Sequence, residues 1–386
     1  METREYRLGE LAQFSNGINF DKNAYFGSGI RLITVSDFGN NFSPDYESLI
    51  EVSNEVVKEK DLISKNDILF VRSNGNKELV GRCMLIDNVD KPTTYSGFCI
   101  KCHFDNENVS DPKYFTYYFK NQYFRKCISN ASGGTNIQNL NQEILSKHRV
   151  QLPPLPTQQK IASILSAYDN LIQNYKKQID ALQTAASELY KEWFVRFRFP
   201  GWQNAKFENE IHEGWKVEKL GTLANISTGK CNREDAEDDG IYPLFDRSQE
   251  IKKSNEWIKD CEAIIVPGEG TSFIPRYYKG KFNLHQRCYC VEPKYPDFGK
   301  FLFYVLMLNR KYFLSVATGA TVPSLRYNNF ASMKFVLPEM SLCNNFNKIA
   351  DDIFAKVDNL QQQITNLTQQ RDLLLPRLMS GKLEVE

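Results

Sequence analysis

The strongest constraint in this sequence is an internal repeat, because five short segments of the first half return in the same order in the second half. Both copies open with Leu-Gly-x-Leu-Ala, and both later continue from a Leu-Pro pair to Lys-Ile-Ala and Asp-Asn-Leu. The matched segments are 8–12 with 220–224, 129–135 with 315–321, 152–153 with 337–338, 160–162 with 348–350, and 169–171 with 358–360. One match alone is weak, but five in order predict a duplicated structural unit with divergent interiors.

Two long amphipathic helices are predicted after the Leu-Pro pairs. In the first, apolar residues run from Ile161 to Trp193 in alternating steps of four and three, which is the spacing of a coiled-coil seam. The second, which starts with Phe346 and Ile349, takes one extra four-residue step before Val357, a local stutter. The predicted interface positions are Ile161, Leu165, Tyr168, Ile172, Ile179, Leu182, Leu189, Ile353, Leu360, Ile364, Leu367 and Leu374.

Apolar stripes of this length need a partner. Each helix can cover its stripe on its own domain, or the two helices can cover each other. We favour pairing, because sustained heptads are typical of paired helices and the two stripes are about equally long. Arg371 interrupts the second stripe, and Pro200 with Gly201 is expected to stop the first helix.

The blocks outside the helices mix short apolar runs with turn signals. Residues 68–71 and 264–266 have the composition of buried strands, and turns containing Gly follow both. We therefore predict an α+β fold class, with two mixed α/β domains separated and joined by the two long helices. The predicted boundaries are 1–152 and 201–340 for the domains, and 153–200 and 341–386 for the helical segments.

Charge and composition exclude several classes of protein. Lys and Arg together number 48, and Asp and Glu 47, so a uniformly basic nucleic-acid-binding chain is excluded but a local basic face is not. No apolar run reaches the roughly 18 residues of a membrane helix, and the first residues lack the layout of a secretory signal. With nine scattered cysteines, the chain is expected to be cytoplasmic and to make no membrane contact.

No motif for catalysis or metal binding stands out. Cys99, Cys102 and His103 resemble the start of a zinc site, but four ligands are needed and a second Cys-x-x-Cys pair is missing. Asp246 and Glu250 lie too close in sequence for the magnesium site of a nuclease, and we interpret them as part of a solvated turn. The chain has no Asp-Pro-Pro-Tyr motif and no Gly-x-x-x-x-Gly-Lys phosphate loop. We therefore expect no catalytic residues and no bound metal.

Cations cluster in matching parts of the two repeats. Ten Lys and Arg residues face three acids between 271 and 340, and six face one acid between 113 and 149. Such segments would neutralise DNA phosphates and give a salt-dependent affinity. A merely solvated basic face has the same composition, so the matching positions in the repeat are what favours a shared role.

Polar residues in the turns near these segments are candidates for reading DNA bases. Arg pairs with guanine and Asn or Gln with adenine, and glycine lets the backbone approach a phosphate. The candidate DNA-binding residues are Arg72, Asn74, Asn76, Lys77, Gly133, Thr135, Asn136 and Gln138 in the first copy, and Thr271, Ser272, Arg276, Thr321 and Arg326 in the second. In the alternative interpretation, the glycines serve only tight turns.

Four motifs add to the doubled Leu-Gly-x-Leu-Ala openings. Residues 152–162 are Leu-Pro-Pro-Leu-Pro-Thr-Gln-Gln-Lys-Ile-Ala, and 187–195 are Ser-Glu-Leu-Tyr-Lys-Glu-Trp-Phe-Val. Residues 373–383 are Leu-Leu-Leu-Pro-Arg-Leu-Met-Ser-Gly-Lys-Leu, and 67–75 are Asp-Ile-Leu-Phe-Val-Arg-Ser-Asn-Gly. With these motifs in this arrangement, the chain resembles the specificity subunits of type I restriction–modification systems over its whole length.

The resemblance implies a function and a set of partners. Each mixed α/β domain would be a target-recognition domain that reads one half of a split DNA sequence, and the helices would form an antiparallel coiled coil that gives a pseudo-twofold repeat. The implied partners are double-stranded DNA, two adenine-N6 methyltransferase subunits, and restriction/translocase subunits. S-adenosylmethionine would bind the methylation partner, and ATP and Mg²⁺ the restriction partner, with no cofactor in this chain and no chemistry done by it.

Two other classes of function stay open at this point. One is a self-contained DNA methyltransferase or nuclease, against which the missing motifs argue. The other is a scaffold or antagonist that occupies methyltransferase subunits without reading DNA. Sequence-independent DNA binding in the presence of partners would favour the second.

Overall fold

The sequence repeat returns in three dimensions as two units, each with its own sheets and apolar cores. A computed structural model describes residues 3–21, 29–39, 41–74, 79–131, 139–204, 206–208, 211–295, 298–319 and 321–385. Contacts between residues group Met1–Tyr175 with Gln362–Glu386 as unit 1, and they group Lys176–Gln361 as unit 2. This grouping divides both long helices, so each unit contains part of each helix.

Unit 1 is built from small sheets and short helices, numbered here in chain order. Its strands are β1 (Arg4–Arg7), β2 (Ala12–Asn16), β3 (Gly29–Ile33), β4 (Ile50–Ser53), β5 (Ile68–Val71), β6 (Cys83–Leu85), β7 (Thr93–Tyr95), β8 (Cys99–Phe104) and β9 (Arg149–Leu152). Its short helices are α1 (Leu8–Leu11), α2 (Pro112–Lys120), α3 (Gln122–Ala131) and α4 (Gln142–Lys147). The strands pair in the orders β2-β8-β5-β6 and β4-β3-β7, and β1 pairs antiparallel with β9.

Unit 2 repeats this plan with longer strands. Its strands are β10 (Phe207–Glu208), β11 (Ile211–His212), β12 (Lys216–Lys219), β13 (Ala224–Thr228), β14 (Tyr242–Phe245), β15 (Lys252–Ser254), β16 (Lys259–Pro267), β17 (Arg276–Leu284), β18 (Cys288–Pro293) and β19 (Lys334–Leu337). Its short helices are α6 (Leu220–Leu223), α7 (Gly299–Leu308), α8 (Arg310–Val316) and α9 (Tyr327–Ala331). One sheet has the order β13-β18-β16-β17-β14-β15, while β12 pairs with β19 and β10 with β11. The mixed α/β character predicted for both halves is confirmed.

The two units differ in how their central strands are joined. In unit 1, β6 pairs antiparallel with β5 in one sheet, and β7 pairs parallel with β3 in another. In unit 2, the single strand β17 pairs antiparallel with β16 along most of its length and parallel with β14 at its end. Because β17 is long enough to pair with both neighbours, unit 2 has one six-stranded sheet where unit 1 has a four-stranded and a three-stranded sheet.

Strand β5 shows how the core of unit 1 is organised. All of its residues are buried, so it lacks the alternation of a strand with one wet face. Its first and third side chains enter one apolar cluster, and its second and fourth enter another, because successive side chains point to opposite faces. Phe70 of β5 lies 4.9 Å from Phe119 of α2 between ring centroids. The short helices thus close one face of the sheet.

The two predicted long helices are α5 (Leu155–Phe194) and α10 (Met340–Met379), each 40 residues long. Within unit 1, Ile161 and Leu165 of α5 share an apolar cluster with Leu374 and Leu378 of α10. All of the interface positions predicted from the sequence are buried or partly buried. The pairing of the two helices along their whole length stays a prediction.

The corresponding cluster of unit 2 takes the other end of each helix. Ala186 and Tyr190 of α5 lie in one apolar cluster with Phe346 and Ala350 of α10. The ring of Tyr190 lies 5.7 Å from that of Phe346. In each unit, therefore, the first part of one helix packs with the last part of the other.

One position of the predicted stripe is wrong. Ile349 is 42% exposed, whereas Phe346, Asn347 and Ala350 are buried. The Asn347 side-chain oxygen accepts a hydrogen bond from the backbone N–H of Phe301 in α7 (3.2 Å). Packing against α7 therefore sets the buried face of α10 here: Phe346 keeps its predicted place, and Ala350 takes the place predicted for Ile349.

The end of α5 also differs from the prediction, because the helix stops at Phe194, before the Pro-Gly pair. The backbone N–H of Arg198 donates to the carbonyl of Glu192 (2.7 Å). Phe197 adopts a φ of 57°, a left-handed conformation that is uncommon outside glycine. The aromatic ring of Phe197 packs against Trp215 (5.4 Å). The packing of Phe197 on Trp215 thus accompanies a helix end at Phe194, several residues before Pro200.

A partly buried charged pair links the two helices within unit 1. The Asp169 carboxylate accepts a hydrogen bond from the Tyr117 hydroxyl (2.5 Å) and pairs with the Arg371 guanidinium. The side chains of Asp169 and Arg371 are only 13% and 15% exposed. Burial and the neighbouring carboxylate raise the pKa of Tyr117, so its hydroxyl remains a donor. Arg371, which interrupts the apolar stripe in the sequence, therefore makes a polar contact between the two helices. The repeat aligns Arg371 with Leu182 of α5, so the first copy has an apolar residue at the equivalent position.

In the described part of the chain, no helix is both long enough and apolar enough to cross a membrane.

Replacing Arg371 with Leu is expected to lower the free energy of unfolding by about 3 kcal/mol, because it leaves the Asp169 carboxylate without its cation. A second change, Asp169→Asn, keeps an acceptor for Tyr117 and removes the charge, so the double variant should regain most of the loss. Chemical denaturation of the full chain measures both effects.

The matched control for this pair is Arg149→Leu. Arg149 donates to Glu5 at 2.7 Å, but the two side chains are 62% and 47% exposed, and an exposed pair contributes about 0–1 kcal/mol. If Arg371→Leu costs no more than Arg149→Leu, the pair between the helices does not stabilise unit 1.

Candidate nucleic-acid interface

In both units, the loops that carry the predicted DNA contacts meet at one edge of the sheet. In unit 1, the backbone N–H of Arg72 donates to the carbonyl of Phe98 (2.7 Å), and that of Leu140 donates to the carbonyl of Arg72 (2.8 Å). Ser73 forms a β-bridge with Asn139. These bonds hold the turn after β5, the turn before β8 and the loop before α4 side by side.

Unit 2 repeats the same bonds with different residues. The backbone N–H of Gly268 donates to the carbonyl of Arg287 (2.7 Å), and that of Leu325 donates to the carbonyl of Gly268 (2.8 Å). Glu269 forms a β-bridge with Ser324. We name these surfaces the loop edges. The loop edge of unit 1 comprises residues 72–74, 96–98 and 139–140, and that of unit 2 comprises 246–250, 268–272, 285–287, 318–319 and 321–326.

Two of the candidate residues of unit 1 lie on its loop edge. Arg72 and Asn74 are partly buried, and Arg72 donates from its guanidinium to the carbonyl of Gly97 (3.4 Å). Outside the described residues lie Asn76, Lys77, Gly133, Thr135, Asn136 and Gln138. The sequence analysis missed Phe98, which is 56% exposed on this edge. An aromatic residue after a glycine between two strands was the signal available.

In unit 2, four candidates lie on the loop edge. Thr271, Thr321 and Arg326 are exposed, and the carbonyl of Ser272 accepts a hydrogen bond from the side chain of Arg310 (2.9 Å). The backbone of the two loops is further tied by a bond from the N–H of Gly270 to the carbonyl of Pro323 (3.0 Å). The structure thus brings together the two candidate segments that the sequence places about 50 residues apart.

Arg276, the fifth candidate, is turned inward. Its guanidinium donates to the carbonyl of Asp246 (2.7 Å) and lies 5.4 Å from the ring centre of Phe245. Burial lowers its pKa, and its Nε and Nη1 atoms are buried without a hydrogen-bond partner. A DNA contact by Arg276 therefore requires a movement of its side chain.

The interpretation of this turn as solvated is wrong for Asp246, although Arg247, Gln249 and Glu250 of the same turn are exposed. Asp246 is 5% exposed, and its carboxylate accepts hydrogen bonds from Lys252 (2.6 Å) and from the backbone and hydroxyl of Ser248 (2.8 and 2.5 Å). Burial by itself raises the pKa of this carboxyl, but the bonds from Lys252 and Ser248 outweigh it and lower the pKa to about 2. Asp246 thus fixes a loop of the edge, while the neighbouring Glu250 is exposed.

A second carboxylate holds two arginines on the same edge. Glu269 accepts hydrogen bonds from Arg247 (2.7 Å) and from Arg287 (2.8 Å), one on each oxygen. The glutamate side chain is 16% exposed, whereas the arginine side chains are 48% and 53% exposed. From the sequence, Arg287 was only one of ten cations in its segment, and Arg247 was not a candidate. No sequence pattern indicates that they pair with Glu269, because the three residues are far apart in the chain.

The predicted basic segments are not uniform faces. Lys300 turns inward, where it pairs with Asp351 and lies 4.7 Å from the ring centre of Tyr277. Lys120 donates to the carbonyl of Asn41 (2.7 Å), and burial lowers its pKa. Exposed cations of the second segment are Lys279, Lys281, Arg287, Lys294, Lys311, Arg326 and Lys334. Part of each segment therefore supports the fold instead of facing solvent.

The cysteine cluster lies in strand β8. Cys99 and Cys102 are buried, and burial raises the pKa of Cys99 to about 12. His103 points elsewhere and makes a 2.7 Å contact with the Asp67 carboxylate. Within the described ranges, no group of three or more His, Cys, Asp or Glu side chains is arranged to hold a metal ion.

Replacing Asp246 with Asn is expected to lower the free energy of unfolding by about 1–3 kcal/mol at neutral pH, because Lys252 loses a charged acceptor. The folded-state pKa of about 2 lies below the ordinary 3.8, so the carboxylate stabilises the fold above that ordinary value and loses this effect as the pH falls through about 2. Denaturation measured from about pH 7 down to pH 3 should show the difference from wild type shrinking below about pH 4. A difference that does not change with pH, or an equal cost for the exposed neighbour change Glu250→Gln, would contradict this account.

Comparisons with known proteins point to one family. A family model described as the type I restriction modification DNA specificity domain matches residues 1–184 and 212–372. The type I restriction enzyme MjaIX specificity subunit of Methanocaldococcus jannaschii is 26% identical over 311 residues, which cover 71% of this chain and 69% of that protein. The EcoDI specificity subunit of Escherichia coli is 31% identical over 176 residues, 45% of this chain and 39% of that protein.

A solved structure shares the fold. The crystal structure of the type I restriction–modification system S subunit from M. genitalium aligns with a TM-score of 0.61 at 18% identity, covering 98% of this chain and 96% of that one. The family model covers both copies of the repeat and both loop edges. This chain therefore belongs to the family of type I restriction–modification DNA specificity proteins.

Proposed function

We propose that this chain is the DNA-recognition subunit of a type I restriction–modification complex, and that each loop edge contacts one half of a bipartite double-stranded target. The observation that carries the proposal is the pair of loop edges, which share their backbone hydrogen bonds but not their side chains. Shared bonds give two platforms of the same shape, and different side chains give them different base preferences. The family membership of the chain supports the same role.

The two recognition domains are proposed to be residues 1–152 and 201–340. Between them, α5 and α10 would pair as an antiparallel coiled coil that sets the distance between half-sites. The stripe from Ile161 to Trp193 is about 48 Å long at 1.5 Å per residue, and half-sites one DNA turn apart are separated by about 34 Å. The opposite pairing of helix ends within each unit supports the antiparallel direction.

The chemistry would belong to partner subunits. Two adenine-N6 methyltransferase subunits would bind S-adenosylmethionine, and restriction/translocase subunits would bind ATP and Mg²⁺. This chain would direct them to DNA in the cytoplasm and contribute no catalytic group. The rival enzymatic function, a self-contained methyltransferase or nuclease, has no observation in its favour among the described residues.

Purification of the tagged chain from its native cells tests the proposal. The expected result is an adenine methyltransferase at about two copies per chain, together with adenine methylation at one split sequence that disappears when the gene for this chain is deleted. Methylation that persists unchanged after deletion would contradict the recognition role. Partners that are captured without any sequence preference would point to the scaffold alternative.

Deleting one heptad from each helix should shorten the spacer of the recognised sequence and leave both half-sites unchanged. Residues 172–178 and 362–368 are suitable, because the contact of Asp169 with Arg371 places these segments opposite each other in an antiparallel pair. The pair would shorten by about 10 Å, which corresponds to roughly three base pairs of 3.4 Å. Methylation mapping reports the spacer directly.

A domain exchange provides the control for this deletion. Replacing residues 1–152 with the same domain of a relative should alter one half-site and keep the spacer. If the heptad deletion changes the half-sites, or the exchange changes the spacer, the helices do not act as a ruler.

A further inference from the structure

We propose that Arg247 and Arg287, oriented by Glu269, form the base-reading pair of unit 2 and select guanine in its half-site. The inference rests on the proposed function, because it names the residues and the base through which one recognition domain would act. None of the three residues was a candidate from the sequence. Only the folded chain brings them together.

The three residues come from three loops that the backbone fixes together. Arg247 follows β14, Glu269 follows β16, and Arg287 lies between β17 and β18. The N–H of His285 donates to the carbonyl of Phe245 (2.9 Å), and that of Gly268 donates to the carbonyl of Arg287 (2.7 Å). The loop edge therefore presents both guanidinium groups from a backbone that is already in place.

The carboxylate of Glu269 orients these guanidinium groups. Each arginine gives it one bond from Nη1, and a guanidinium has five N–H donors in a planar fork. With about half of each arginine side chain exposed, further donors remain at the surface. Guanine offers two acceptors, O6 and N7, on its major-groove edge, and a fork of two donors matches them.

The charge of Glu269 favours base reading over phosphate binding. A carboxylate between two arginines weakens their net attraction for phosphates, which is what drives sequence-independent affinity. It also fixes their direction, which phosphate binding does not require and base reading does. The arginine side chains are about half exposed, so solvent screens their pairing with Glu269 and the cluster stabilises the fold less than a fully buried pair would.

Unit 1 lacks this cluster at the equivalent positions. Phe98 stands in place of Arg287, because the two carbonyls accept the same backbone bond, and Ser73 stands in place of Glu269, because each makes the equivalent bridge. Counting from the equivalent bonds to Ile33 and Phe245 places Val35 opposite Arg247. The cluster formed by Arg247, Glu269 and Arg287, and the guanine contact proposed for it, are therefore specific to unit 2.

The test uses the full chain in complex with its methyltransferase subunits and a library of split targets with both half-sites randomised. The wild-type complex should prefer guanine at one or two positions of one half-site. Arg287→Ala and Arg247→Ala should each reduce the preference at one guanine by about ten- to a hundredfold, the range for one bidentate base contact. The other half-site is read by unit 1, so its unchanged preference shows that the variant complex is folded.

Two further variants separate positioning from charge. Glu269→Gln keeps the size of the side chain and should weaken the guanine preference while raising sequence-independent binding, because one negative charge is lost. Arg198→Ala removes an arginine of unit 2 from an exposed ion pair with Glu192 outside the loop edge, and it should leave both half-sites unchanged.

Two outcomes would overturn the inference. The first is a uniform loss of affinity across all sequences with a smaller salt dependence, which is the behaviour of phosphate contacts. The second is an unaltered preference in both arginine variants. A wild-type complex with no preference in either half-site is a different result, because it would defeat the proposed function itself.

Discussion

The fold depends on burying the apolar stripes of two helices that are each 40 residues long. Each stripe is covered in two places: near Ile161 and Leu378 in unit 1, and near Tyr190 and Phe346 in unit 2. Burial of such side chains contributes about 1.5–3 kcal/mol each, so neither unit can be completed by the residues of its own repeat alone. This is why unit 1 joins 1–175 with 362–386, segments from opposite ends of the chain.

The two copies of the repeat share the backbone hydrogen bonds of their loop edges but differ in the side chains that those loops carry. The bond between Gly268 and Leu325 in unit 2 has its equivalent between Arg72 and Leu140 in unit 1. A backbone bond does not depend on the identity of the side chain, so the loops can diverge without loss of the platform. That separation of support from specificity is what a protein with two different DNA-reading surfaces requires.

Electrostatics is arranged by burial more than by composition. The net charge of +1 does not distinguish cations that are buried in the fold from cations that face solvent. Lys300 is turned into unit 2 towards Asp351, whereas Arg287 stands half exposed on the loop edge. Buried carboxylates such as Asp246 hold the loops, because a buried charge is stable only when it is paired and hydrogen-bonded.

The sequence by itself determined the repeat, the two long helices, the mixed α/β character and the family, since these follow from local periodicity and the order of motifs. It also placed Arg72 on the loop edge of unit 1, and Thr271 and Arg326 on loops that meet each other within unit 2. The tertiary structure alone decided that Arg276 turns inward, that Ile349 faces solvent, and that Glu269 holds two arginines. The partner of a side chain depends on contacts between distant segments, and neither the spacing nor the chemistry of neighbouring residues encodes them.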